Sequence, residues 1–480
     1  MENRLEKKYG LLTAICMVVG IVIGSGVFFK AEEMLGVTGG DLPVALLAWL
    51  LGGAVMVISA YVFAVMGTKY EKVNGVVDYS ESLVGSKFAY YVGWFMATIY
   101  YPAMTGALAW LTARYTMSVF IDPGKAVTCA ETMTLAGLFM VFSFVVNALS
   151  PKLAGVFQVS TTFIKMIPLV LMAAVGIIYG LSTGNLSENF KIMIDKAIKD
   201  PKTGEIIDYT FKSRGAGNFS ALISGVCTSV FAYEGWIIAT SINSEIKDSK
   251  KNLPRALILG TIIVIVVYIL YYLGISGSVS TKDLLLKGGA NYAFMQRFGN
   301  VAGTVLTVFI AISCFGTLNG LTVACCRGFY SLAARGQGPQ PRVLASVDSE
   351  SHMPSNASIL ALFTIAAWLF YFYIANLSEI GGKMKIFAFD STEIPVICLY
   401  AFYLVIYVMF MVKGKEYGVF KRFIMPALAF VGACFFIYAS IIKHGMKNVG
   451  FLIIALVIMV IGFLFRGKTP SPSIKADKTE

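Results

Sequence analysis

Charged residues are scarce in this chain. Asp, Glu, Lys and Arg make up only 14% of its 480 residues, against 57% hydrophobic residues, and the mean hydropathy is +0.74. A water-soluble fold of this length needs far more polar surface, so that class is excluded. Histidine is nearly absent: His352 and His444 stand alone, both read as loop positions. HExxH does not occur and GxSxG is absent in the strand-to-helix context it needs, so no catalytic residue is assigned and intramembrane enzymes built on those constellations are excluded. No CxxC pair joins the eight cysteines, seven of which fall in or beside apolar runs. That leaves no disulfide framework, no metal motif and no cofactor to expect. The eighth, Cys129, is read as an isolated loop thiol. No filter loop or charge ring marks an ion channel. No small-residue cleavage site follows the charged start MENRLEKKYG, so a cleavable signal peptide is not expected. The net charge of +12 is scattered over short loops and tails, with no basic face, which argues against nucleic acid as a partner.

What the chain has instead is apolar runs of about 20 residues, the length that crosses a hydrocarbon core. They are continuous and do not alternate, so the reading is an all-α polytopic membrane protein embedded in the lipid bilayer, not a β-barrel. Twelve spans are predicted, at 11–35, 42–67, 88–119, 132–150, 153–181, 217–244, 255–279, 298–333, 356–376, 386–412, 419–442 and 448–465. The one long connection, 182–216, is mixed in charge and reads as an exposed loop with room for a short amphipathic helix. With the N-terminus cytoplasmic, cytoplasmic segments carry 21 lysines and arginines and the short external ones carry 10. The positive-inside rule therefore puts both termini, 1–10 and 467–480, in the cytoplasm and makes 182–216 extracellular.

Two spans are interrupted at mid-depth. The first carries Gly24, Ser25 and Gly26 inside VVGIVIGSGVFF, and the sixth carries FAYEGW, Phe231 to Trp236. Small residues in a span are also packing contacts, and Gly24 and Gly26 alone leave both readings open. The pairing argues for a site. The two breaks are five spans apart, so two five-helix units, 11–181 and 217–412, would enter from opposite faces as an inverted repeat, followed by two further helices at 413–466. Paired broken helices point to a transporter's binding site. An unwound segment at the midplane is tolerated only where it lines a cavity. The half-helix beginning near Val27 would offer its N-terminus to an anion, and carbonyls before the break would accept from a cation. A free α-amino acid carries both charges on adjacent atoms.

The residues also resemble a known family. GSGVF is similar to the GSGIF signature of the amino acid–polyamine–organocation superfamily, and FAYEGW to its FAYDGW. SEIKDSKKNLPRAL (244–257), SCFGTLNGLTVACCRGFYSLAARGQGP (313–339) and NALSPKLAGVFQVSTTFIKMIPLVLMAAVG (147–176) resemble the segment after the sixth span, the eighth span and the fifth span of its L-type amino acid transporter branch. The resemblance implies the leucine-transporter fold, with two inverted five-helix repeats plus two helices. It also implies alternating access and a plasma-membrane exchanger of amino acids. It implies that Ser25, Gly26 and Val27 bind the α-carboxylate. Val22, Phe231 and Glu234 would offer carbonyls to the α-amino group, and Phe231 would be the gate. Ile23, Gly24, Ala232 and Ile237 complete the expected substrate site. Two segments depart from the family pattern: VNGVVDYSES (73–82), and KIFAFDSTEIPVICLY (385–400) with Asp390, Ser391 and Glu393. Mammalian relatives hold a partner-linking cysteine where Cys129 lies. The local sequence differs, so no obligatory protein partner is expected.

Several ionisable residues have competing readings. The carboxylate of Glu234 could cap N–H groups freed by the break or touch substrate directly. Asp390 and Glu393 could select a cationic or hydroxylated side chain, or lie at the outer interface. Arg327 matches the family arginine and reads as a cytoplasmic-face pairing residue. Lys165 lies mid-span without an acid nearby on its own helix. The family places a lysine where sodium-coupled relatives hold an ion between helices one and eight. Lys165 would then donate to carbonyls near Ile21–Gly24 and to Ser313 or Thr317, replacing sodium by a fixed charge. Neutral amino acids fit the apolar wall at Ile237 and Ile238. Proton-coupled symport through Lys165, and a polyamine or cationic amino acid carrier of the same fold, remain the alternatives.

Overall fold

A computed structural model describes residues 7, 9–24, 26–70, 75–122, 124–149, 151–200, 206–215, 218–287, 289–348 and 353–467. Among them, eleven helices are long and apolar enough to cross a membrane. The first span is two half-helices, Leu11–Val22 and Gly26–Val37, and the sixth is the helix Phe219–Ala232 followed by a 3-10 run, Trp236–Glu245. The second, fourth and fifth are Leu42–Gly67, Ala130–Leu149 and Pro151–Thr183. The seventh to tenth are Ser249–Ser278, Asn300–Ala333, Ser355–Asn376 and Ile394–Lys413. The eleventh ends with Met425–His444, and the twelfth is Lys447–Leu464.

The third expected span, 88–119, falls short of the apolarity that a lipid-facing helix needs. It is continuous in backbone as Ser86–Phe95, a π-turn at Met96–Tyr100 and Tyr101–Met117. Every residue from Val92 to Ala113 is buried. A helix surrounded by protein is free to carry Thr98, Tyr100 and Thr105, and these find partners there. Thr105, for example, lies 3.2 Å from the Cys325 sulfur. The outward faces of other helices are apolar: Phe163, Ile167 and Val170 on the fifth span and Leu456, Val460 and Phe463 on the twelfth are all exposed, as lipid contact requires.

The 182–216 connection is more than a loop with a helix. After a short helix, Asn185–Asn189, strands β1 (Ile192–Lys199) and β2 (Ile206–Ser213) form an antiparallel hairpin, with Ile194 opposite Phe211. Ile194 N–H donates to Gly39 O at 2.8 Å, and Arg214 pairs with Asp41 at 2.9 Å, the residue that caps the second span. This pins the hairpin to one face of the bundle, opposite the face that holds Tyr9 and Phe465. The departing 73–82 segment is helical from Gly75 to Leu83, while 71–74 lie outside the described residues.

The fifth span is held against the seventh by close glycine contacts. A Cβ on Gly180 would lie 2.5 Å from Gly277 Cα, and one on Gly274 would lie 2.8 Å from Ala173 Cα. Small residues let two backbones approach where lipid provides no hydrophobic drive for association. This packing fixes the height of Lys165 against the first span.

Candidate functional site

The helix of the first span ends where Ile23 leaves it at φ −75°, ψ 87°. Ser25 lies outside the described residues. In the sixth span, Tyr233 departs at φ −96°, ψ 3°, and Gly235 takes φ +107°, a conformation that disfavours any side chain. The two breaks touch. A Cβ on Gly235 would lie 2.7 Å from Ile21 Cγ2, and one on Gly26 would lie 2.6 Å from Ala232 Cα. On the other side, a Cβ on Gly24 would lie 2.7 Å from Thr317 Oγ1. The packing and unwinding readings of these glycines are therefore compatible: the helix breaks where the glycines let its neighbours close in.

Tyr268, on the seventh span, joins the two breaks. Its hydroxyl lies 2.9 Å from the carbonyl oxygens of both Val22 and Ala232 and donates its single proton to one or the other. Sequence reasoning missed this residue. The available signal was a tyrosine in mid-span, whose buried hydroxyl requires a partner.

Lys165 is fully buried. Its Nζ donates to Gly20 O and Ile23 O at 2.6 Å each, and lies 3.2 Å from Ser313 O and 3.4 Å from Thr317 Oγ1. Ser313 donates its own hydroxyl towards Gly24 O at 3.3 Å. These contacts gather the carbonyls at the end of the first half-helix onto the fifth and eighth spans. Charge-assisted bonds to carbonyls compensate an ammonium that has no water around it.

A cavity of about 310 Å³, counted to its mouth, lies between the two breaks. Val22, Gly24, Gly26, Phe231, Glu234 and Thr317 line it, as the sequence reading expected of a site there. Ile23, Val27, Ala232, Ile237, Lys165 and Ser313 are not among its lining residues. Ile21, Met104, Leu108, Gly235 and Leu321 line it without having been foreseen. Met104 and Leu108 come from the third span, whose contribution carries no sequence motif. The carboxylate of Glu234 accepts a hydrogen bond from Tyr100 Oη, so its partner is a third-span side chain.

Ion networks lie to either side of the two breaks. Towards the hairpin face, Lys30 Nζ pairs with Glu393 at 2.7 Å and Glu33 at 2.8 Å, and Lys443 pairs with Glu33 at 2.9 Å and Glu393 at 3.0 Å. His444 Nε2 lies 2.9 Å from Glu393. Glu393 is thus wholly buried and not at a water interface, and His444 belongs to the last turn of the eleventh span, not to a loop. Two ammonium groups supply the compensation that makes such a carboxylate tolerable inside protein. Lys30 Nζ stands 5.8 Å from the centroid of the Phe231 ring, which lines the cavity. Towards the chain ends, Arg327 pairs with Glu245 through two nitrogens, one at 2.9 Å. Tyr9 N–H donates to Glu245 O at 3.0 Å, strapping the N-terminal segment across the same spot. Arg327 is therefore a pairing residue, as expected. Cys129 is a free thiol 3.1 Å from Thr132 Oγ1, and His352 lies outside the described residues.

Known proteins are similar to this chain over about three quarters of its length or more. The serine/threonine exchanger SteT of Bacillus subtilis (strain 168) is 28% identical over 455 residues, covering 93% of this chain and 94% of its own. The mouse b(0,+)-type amino acid transporter 1 is 28% identical over 76% of this chain and 74% of its own, and the human cystine/glutamate transporter 25% identical over 74% and 66%. The family model described as amino acid permease matches residues 9–464. The chain belongs to the amino acid permease family, whose members are multi-pass transporters and not enzymes.

Proposed function

We propose that this protein is a sodium-independent exchanger of neutral L-amino acids in the plasma membrane, working by alternating access between two inverted five-helix repeats, with both termini cytoplasmic. The observation that carries this reading is the Lys165 ammonium, bonded to Gly20 O and Ile23 O beside the eighth span. A fixed positive charge there does what a bound sodium ion would do, gathering the carbonyls of the broken helix, so no ion need be carried. The α-carboxylate is assigned to the N-terminus of the Gly26–Val37 half-helix, including Ser25 and Val27, where the first N–H groups have no intrahelical partner. The α-amino group is assigned to the carbonyls of Val22, Phe231 and Glu234.

The side-chain class follows from the lining. Ile21, Met104, Leu108 and Leu321 are apolar, and the one lining carboxylate, Glu234, is engaged by Tyr100. Asp390 and Glu393 do not line the cavity, which weighs against a polyamine or cationic substrate. The relative matched over 93% of this chain is described as a serine/threonine exchanger, which favours small side chains.

The test is uptake into proteoliposomes holding this chain alone, which also tests whether any partner is obligatory. Preloading with unlabelled serine should stimulate labelled uptake equally in sodium and choline buffers. Strict sodium dependence, or a proton gradient that drives net uptake into empty vesicles, would overturn the exchanger reading.

Phe231 is assigned as the lid beneath Lys30. Phe231→Ala should slow exchange by about tenfold, equivalent to about 1.4 kcal/mol of barrier, while the half-inhibitory concentrations of competitors stay near those of the parent. Uptake equal to the parent's would remove Phe231 from the gate.

A further inference from the structure

Cys227, Glu393 and His444 come from the sixth, tenth and eleventh spans. Yet a thiol sulfur, a carboxylate oxygen and an imidazole nitrogen from them lie within 4.8 Å of one another. We propose that these three side chains form a site for a borderline-soft divalent metal ion, Zn²⁺ above all, on the hairpin-face side of the cavity. The donor set decides the class of ion. Sulfur and imidazole nitrogen are poor ligands for Mg²⁺ and Ca²⁺, which take oxygen, and good ones for Zn²⁺. Three protein ligands leave the fourth tetrahedral position to water.

The surrounding charge can adjust to the ion. Glu393 already holds Lys30 and Lys443, and those two ammonium groups are balanced by Glu33 and Glu393. When a metal takes an oxygen of Glu393, Lys443 keeps Glu33 at 2.9 Å and Thr228 Oγ1 at 3.1 Å. Metal binding replaces the Cys227 S–H bond by a sulfur–metal bond and releases that proton to solvent, so the cluster gains one net positive charge. Asp390, whose carboxylate accepts from Glu393 N–H at 2.9 Å, adds negative charge at the same end. No spacing in the sequence announces the site, because its ligands stand far apart along the chain.

A metal here bridges the outer half of the broken sixth span to the tenth and eleventh spans while Lys30 covers Phe231, so it holds the hairpin face closed. That consequence rests on the transport reading above; metal binding does not. Two measurements separate them. Titration of the purified full-length protein with Co²⁺ should give a thiolate-to-metal charge-transfer band saturating at one equivalent. Cys227→Ser should abolish it, and His444→Gln should weaken binding by about tenfold or more. Absence of the band, or a band that survives Cys227→Ser, overturns the site whether or not the protein transports. In proteoliposomes, ZnCl₂ should slow exchange, EDTA should restore it, and Cys227→Ser should exchange at the same rate with and without zinc. Exchange unchanged by zinc in parent protein that shows the Co²⁺ band overturns the closing role.

Discussion

Lys165→Ala is expected to lower exchange by about a hundredfold, equivalent to about 2.7 kcal/mol of barrier, while the protein still folds. The lysine, fully buried, holds Gly20 O and Ile23 O at 2.6 Å each. Without it those carbonyls keep only hydroxyl donors, Thr317 at 3.2 Å from Gly20 O and Ser313 at 3.4 Å from Ile23 O, and a buried acceptor short of its partner costs about 1–3 kcal/mol. The chain can relieve that penalty by closing the break or by letting water in, and either change displaces the carbonyls assigned to substrate. Global folding should persist, because the fifth span keeps its glycine contacts with the seventh and the Thr162 hydroxyl bond to Cys16 O at 3.2 Å. The competitor profile should also persist, since Lys165 does not line the cavity. The measurement is counter-flow of labelled substrate, with monodispersity on gel filtration as the control for folding. An alanine variant with full activity would show that the ammonium does not hold the site.

Gly26→Val should abolish substrate-induced thermal stabilisation and exchange together. A Cβ at this position meets Ala232 Cα at 2.6 Å and Ala232 Cβ at 3.0 Å, both on the facing break. That neighbour is backbone, so it cannot rotate away as a long side chain would. Relief requires the two breaks to separate, and overpacking of this kind costs about 1–3 kcal/mol. Separation also moves Gly26 N–H from the place where a carboxylate would meet it. Gly26→Ala is the graded control: it introduces the Cβ contact without the branched methyls, so its loss of affinity should be smaller than valine's. Parent-like stabilisation by serine in a well-folded valine variant would take the carboxylate away from this half-helix.

Much of this was legible because a membrane restricts the ways a chain can satisfy its backbone. Continuous apolar runs mean helices, and a glycine pair in mid-span has few meanings. The same logic made Lys165 conspicuous, since an uncompensated ammonium at that depth is costly. The third span was less legible in its role. Its tyrosines and threonines look like a weak span, yet they face protein throughout, and Met104, Leu108 and Tyr100 reach the candidate site from it. The hairpin was missed although Pro201 and Gly204 stand between two short β-prone runs, because the mixed charge of the connection reads as an exposed loop, and its docking at Gly39 and Asp41 is a tertiary contact.

Local chemistry along the chain was enough to establish the class of protein, the two breaks, and the residues flanking them. Pairing across the chain was not contained in it. That Tyr268 bridges Val22 and Ala232, that Glu393 answers Lys30, Lys443 and His444, and that Glu245 answers Arg327 all depend on which helix faces which. The physical reason is that burial makes each charge or hydroxyl require a partner but does not name one. The partner is chosen when glycine contacts and helix packing bring distant segments within hydrogen-bond reach.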